Sequence, residues 1–196
     1  MTRNISHFQK KEPILEYLLA YIRFQKIRKY IRGGSIVLDL GCGYNAKLLY
    51  YLSPQIKKGV GYDIKINPAF KKPNIMLANC RVDQRLPQHS NSFDTVIVTA
   101  AIEHVDRPDI LLNETHRVLK RGGLLILTTP DKKSRSLLEI LAYKLNLLSK
   151  QELKDHKRYY DKNSLQDAIM AAGFLKNKIE VDNFELGLNL FAKAIK

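Results

Sequence analysis

The chain has 196 residues, 45% of them apolar, with 33 Lys and Arg against 19 Asp and Glu for a net charge of +14. A chain of this length buries roughly 70% of its unfolded surface, so one domain with a full core is expected. No apolar run reaches the roughly 18–20 residues of a membrane span, no leader segment opens the chain, and Cys42 and Cys80 frame neither disulfide nor zinc, so a reducing cytoplasm is expected.

Residues 14–31 repeat at helical spacing. Ile14, Leu15, Leu18, Leu19, Ile22, Ile27, Tyr30 and Ile31 share one side, and Arg23, Lys26, Arg28 and Lys29 fill the rest. Pro13 suits the first turn and Gly33-Gly34 the end. A core-packing helix with a basic back is expected. Short apolar runs then predict buried strands at 35–40, 60–64, 74–78, 94–100 and 124–129, with a short helix at 46–52. Pro108 opens a helix whose apolar face is Ile110, Leu111, Leu112, Val118 and Leu119, and Gly122-Gly123 is its expected stop. A basic, Leu-rich helical stretch follows at 134–149. Another helix is predicted at 164–172, with Ser164 and Asp167 at capping-box spacing and Gly173 as terminator. Asn177–Asp182 and Asn189–Ile195 alternate as closing strands would. Strands alternating with helices predict an α/β fold, a doubly wound and mostly parallel sheet with helices on both faces.

The sharpest local feature is Asp39-Leu40-Gly41-Cys42-Gly43 at the end of the first predicted strand. Glycines there let the backbone turn tightly at the carboxyl edge, where open α/β sheets bind ligands. Asp63 ends the second strand, where a carboxylate can accept both hydrogen bonds of a ribose diol. GCGYNA also satisfies a dinucleotide pattern through Ala46. A pyrophosphate, however, is anionic and Asp39 would repel it. S-adenosylmethionine (SAM) carries a sulfonium and an ammonium and no phosphate, so the same carboxylate favours it.

These residues resemble class I SAM-dependent methyltransferases, particularly the small type 11 group. VLDLGCG, GYDI, LPQHSNSFDTVIVTAAIEHVDRP and RVLKRGGLLILTTP carry the resemblance over 36–131. Weaker likeness in DHKRYYDKNSLQDAIMAAGF and GLNLFAKAIK is to enzymes of sugar and surface-polysaccharide pathways. The resemblance implies a Rossmann-like, seven-stranded, mostly parallel sheet with an antiparallel last strand. It implies one domain over 1–196: a helical cap at 1–34, a SAM-binding core at 35–131, and acceptor-side helices and terminal strands at 132–196. It places Asp39, Gly41, Cys42 and Gly43 at the methionine end of SAM, with Cys42 a small neutral filler. Asp63 is placed on the ribose, Ile64 against adenine, Asp83 near the adenine amine, and Thr99 and Ala100 as backbone at the end of strand four. The motif's third glycine is Asn45 here, which tolerates left-handed geometry.

The expected reaction is methyl transfer to an O or N atom of a small-molecule or glycan-like acceptor. Holding acceptor and methyl in line contributes roughly 7–11 kcal/mol, and a histidine is the usual base where one is needed. His104 and His156 are the candidates. Glu103, Arg158 and Tyr160 are the expected acceptor pocket, with Arg158 suited to an anionic group. Some quinone-pathway relatives hold a metal with Glu-x-x-Glu-His; here Ala100 stands three residues before Glu103, so no metal is expected. His7, His89 and His116 are expected at surface or loop positions.

The basic surplus lies mostly at the ends: residues 1–35 carry +6, 36–131 carry +3 and 132–196 carry +5. Lys26, Arg28, Lys29 and Arg32 beside Phe24 and Tyr30 could meet phosphate, which keeps ribose methylation of RNA as a second reading. Base-amine methylation lacks its proline-rich motif, since Thr99-Ala100-Ala101-Ile102 stands there. The basic first helix also allows peripheral membrane contact, and a SAM-fold subunit without catalysis is a further reading of the same fold.

Overall fold

The computed structural model describes residues 14–144 and 154–196. The first-turn role of Pro13, the position of His7 and the part of the 134–149 helix beyond 144 lie outside the described residues. Helix α1 (Ile14–Arg28) leads into β1 (Ile36–Leu40), α2 (Lys47–Leu52), β2 (Lys58–Asp63), β3 (Ile75–Asn79) and β4 (Phe93–Thr99). Then come α3 (Pro108–Val118), β5 (Leu119–Pro130), α4 (Arg135–Glu139), α5 (Lys162–Ala171), β6 (Ile179–Phe184) and β7 (Asn189–Ile195). Among the described residues one seven-stranded sheet runs in the order β3-β2-β1-β4-β5-β7-β6. β1 to β5 pair in parallel, and β7 runs antiparallel to both β5 and β6.

Alternate residues of each central strand feed opposite layers, which is why these strands read as continuous apolar runs. Leu38, Val96, Val98, Leu125 and Leu127 pack with Leu111 and Leu112 of α3 and Leu165 and Ile169 of α5. Val37, Ile97 and Ile126 pack on the other face with Ile27, Ile31, Leu49 and Leu52. Each fully buried Leu or Ile contributes about 1.5–3 kcal/mol.

Four local readings are corrected. Only the C-terminal part of α1 joins the core: Ile27 and Ile31 are buried, whereas Leu18 and Ile22 are more than 40% exposed beside exposed Tyr17 and Tyr21. Gly122-Gly123 does not end a helix. Leu119 is already extended and pairs with Phe93, so the glycines lie within β5, Gly122 at φ 74 donating its N–H to the Lys196 carbonyl. Helix α5 starts earlier, because Asp161 is its cap and Ser164 is the third helical residue of a reciprocal capping box. The residue in left-handed geometry before α2 is Ala46 (φ 43), not Asn45.

Candidate active site

The strand order reverses between β1 and β4, and a crevice at that switch point is where open α/β sheets take ligands. Gly41 and Gly43 leave β1 at φ 81 and 73. The N–H groups of Gly41 and Cys42 both donate to the Tyr62 carbonyl, at 2.8 and 3.1 Å, so the turn is tied to β2. Gly41 also has no room for a side chain: a Cβ there would lie 2.7 Å from the Cβ of Ala101. Cys42 is buried with its thiol pushed upward by burial, which suits an inert filler.

Asp39 is 1% exposed, and neither carboxylate oxygen has a hydrogen-bond partner among the described residues. Burial, with Asp63 nearby, pushes it up to about 8. An unpartnered buried carboxylate is costly, which makes Asp39 a candidate for completion by a ligand. Asp63 is also buried, and its Oδ2 accepts the Gly43 N–H at 2.9 Å. Ile64 follows it half-exposed beside the turn. Thr99 ends β4, and Ala100 sits at φ 47 with its N–H on the Thr128 carbonyl. A non-glycine residue held there stores about 1–3 kcal/mol of strain, a frequent property of functional turns. Asp83 is buried but engaged: Arg81 donates to both its oxygens, and the Asp106 N–H donates to Oδ2.

The turn after β4 carries Glu103, fully buried, whose Oε2 accepts from the Thr129 hydroxyl at 3.0 Å. His104 Nδ1 lies 3.1 Å from the Asp155 carbonyl, and the His104 and His156 rings meet edge to face at 4.8 Å. Burial and His104 lower His156 to about 4. Glu103, His104 and His156 each bring one ligand-type atom within 4.8 Å of the other two, a grouping invisible in the linear motif.

Arg158 is engaged with backbone. Its guanidinium donates to the carbonyls of Ile102, Val105 and Asp106 at 3.4, 2.5 and 3.3 Å. With the Lys157 N–H on the Glu103 carbonyl at 2.9 Å, it fastens residues 155–160 to the turn after β4. Tyr160 is buried in the core, so it is no open platform. Its neighbour Tyr159, with Tyr143, His156, Arg135, Glu139, Lys154 and Lys157, lines a pocket of about 260 Å³. Sequence reasoning placed Tyr159 in the 155–160 cluster but gave the platform role to Tyr160, and it missed Tyr143. His89 is exposed, while His116 packs edge-on against Phe174 at 4.8 Å rather than lying loose on the surface.

No described helix is long and apolar enough to cross a membrane. A family model described as a methyltransferase domain matches residues 11–176. An uncharacterized protein of Methanocaldococcus jannaschii is 27% identical over 171 residues, covering 76% of this chain and 64% of that protein. The mitochondrial ubiquinone biosynthesis O-methyltransferase of Rattus norvegicus is 30% identical over 115 residues, 53% of this chain and 33% of the enzyme. The chain thus spans less than two thirds of the length of these curated relatives. A SAM-dependent methyltransferase from Archaeoglobus fulgidus superposes with a TM-score of 0.72 at 18% identity, covering 97% of each chain. The strand order is that of the class I SAM-dependent methyltransferase fold seen in the Archaeoglobus fulgidus structure, and the chain belongs to the methyltransferase-domain family.

Proposed function

We propose that this chain, acting as one domain, transfers a methyl group from SAM to an oxygen or nitrogen atom of a small-molecule or glycan-like acceptor. The observation that carries the reading is Asp39: a buried carboxylate without hydrogen-bond partners among the described residues, beside two glycines in left-handed geometry. That combination fits a ligand with a cationic amino-acid end and a close backbone approach. SAM, when bound, supplies the electrophilic methyl on a sulfonium. Asp39, Gly41, Cys42 and Gly43 receive its methionine end, and Asp63 takes the ribose hydroxyls. Ile64 covers the adenine, Asp83 shapes the far wall through Arg81 and Asp106, and Thr99 and Ala100 line the crevice with backbone.

The acceptor enters from the side of residues 101–104 and 155–159. Glu103, His104 and His156 orient its reacting atom and assist the loss of its proton. Arg158 acts through the backbone it gathers, and the cations at the pocket suit an acceptor with an anionic group. Calorimetry with SAM is the test. Binding by the native chain, weakened about tenfold or more by Asp63→Ala, supports the reading. No heat from the native chain under any buffer condition removes it.

A further inference from the structure

The acceptor-side cluster carries more than a pair of bases. Glu103 and His104 leave β4 together, and the fold delivers His156 to them from 52 residues further along the chain. We propose that Glu103, His104 and His156 hold one divalent cation of the zinc class. The proposal deepens the acceptor reading above, which supplies its purpose, while the binding itself stands on the geometry.

Three features support it. One ligand-type atom from each residue lies within 4.8 Å of the other two. Ligands about 2.1 Å from a tetrahedral ion stand about 3.4 Å apart, so modest side-chain rotation closes the set. Each ligand also has an outer contact that fixes it, as metal ligands do. The Asp155 carbonyl, 3.1 Å from His104 Nδ1, can only accept, so Nδ1 carries the proton and the lone pair is on Nε2. His156 Nδ1 faces the Tyr159 hydroxyl at 3.2 Å, and Glu103 Oε2 takes the Thr129 hydroxyl at 3.0 Å. Finally, the segment that brings His156 is fastened by Arg158 and Lys157, so its position is built rather than incidental.

The donor set chooses the ion. Two imidazoles and one carboxylate suit Zn²⁺, Co²⁺ or Fe²⁺, whereas Ca²⁺ and Mg²⁺ want more oxygen. Ala100 breaks the linear motif, but a third ligand need not be local when a distant segment is clamped onto the turn. Three protein ligands leave a coordination position for the acceptor. An acceptor hydroxyl there would lose its proton to solvent, and its oxygen would then bond the methyl carbon as the C–S bond of the sulfonium breaks.

The test uses the untagged full chain, stripped with a chelator and titrated with Co²⁺ while its visible absorption is followed. One Co²⁺ per chain is expected, with affinity falling about tenfold or more in His156→Ala and in the isosteric Glu103→Gln, and unchanged in His89→Ala. SAM calorimetry on each variant reports whether its fold survives. Absence of a cobalt signal in the native chain overturns the proposal, as does undiminished affinity in both ligand variants. A chain that binds SAM without cobalt overturns only the cation site. Cobalt binding without SAM binding supports the site and overturns the transfer reading.

Discussion

The backbone N–H of Gly43 donates to Oδ2 of Asp63 at 2.9 Å, so the end of β2 holds the second glycine of the β1 turn. Asp63 therefore shapes the turn before any ligand arrives, and its loss acts twice. Asp63→Ala is expected to weaken SAM binding about tenfold or more, and Asp63→Asn, which keeps an acceptor oxygen for Gly43, by less. Calorimetry ranks the two. Equal, undiminished affinities would take Asp63 out of the ribose role.

Asp39 trades stability for binding. Asp39→Asn removes a buried ionisable group that has no hydrogen-bond partner among the described residues, so about 1–3 kcal/mol of stability is expected to return. For a chain of this size that raises Tm by about 2–4 °C per kcal/mol. SAM affinity should fall about tenfold or more at the same time. Differential scanning calorimetry and a SAM titration check both halves, and a variant that binds SAM as well as the native chain defeats the assignment.

The same residue predicts a pH dependence. Asp39 ionises near 8 in the folded chain against about 4 when unfolded, so between these values the folded state holds more protons. Its contribution to stability is therefore greatest at low pH and is lost as pH rises toward 8. A cationic ligand beside the carboxylate favours the ionised form, so SAM binding at pH 7 should release a proton and tighten as pH rises to about 8. Calorimetry in two buffers of different ionisation heat reads the proton directly; identical heats would contradict it.

Arg158 is expected to behave as a clamp. Arg158→Met strands the carbonyls of Ile102, Val105 and Asp106 and should cost about 1–3 kcal/mol in denaturant unfolding, with SAM affinity changed less than about threefold. If stability were untouched, Arg158 would be reassigned to the acceptor itself.

The glycine turn and its buried acids were legible because their signals are local: an acidic residue two positions before a glycine, and a second acid at the next strand end. The strand cores were legible because residues buried on both faces leave unbroken apolar runs. Long-range placement was not legible. Nothing in Arg158 says that its guanidinium meets three carbonyls some 50 residues earlier. The apolar stripe of α1 gave no sign that Leu18 and Ile22 stay largely exposed while Ile27 is buried against the sheet. Gly122-Gly123 looked like a helix stop because paired glycines end helices and interrupt strands alike. Here strand pairing of Leu119 decided it.

The contact between position 41 and Ala101 has an evolutionary corollary. The two strand ends share one small volume, and the chain has divided it as nothing on one side and a methyl on the other. Gly41→Ala should cost about 1–3 kcal/mol from collision and about 1 kcal/mol more from its positive φ, seen as a lowered unfolding midpoint. Adding Ala101→Gly should return the first part and leave the second. The pair is expected to be inherited as a single character, so descendants that alter one position are expected to have altered the other.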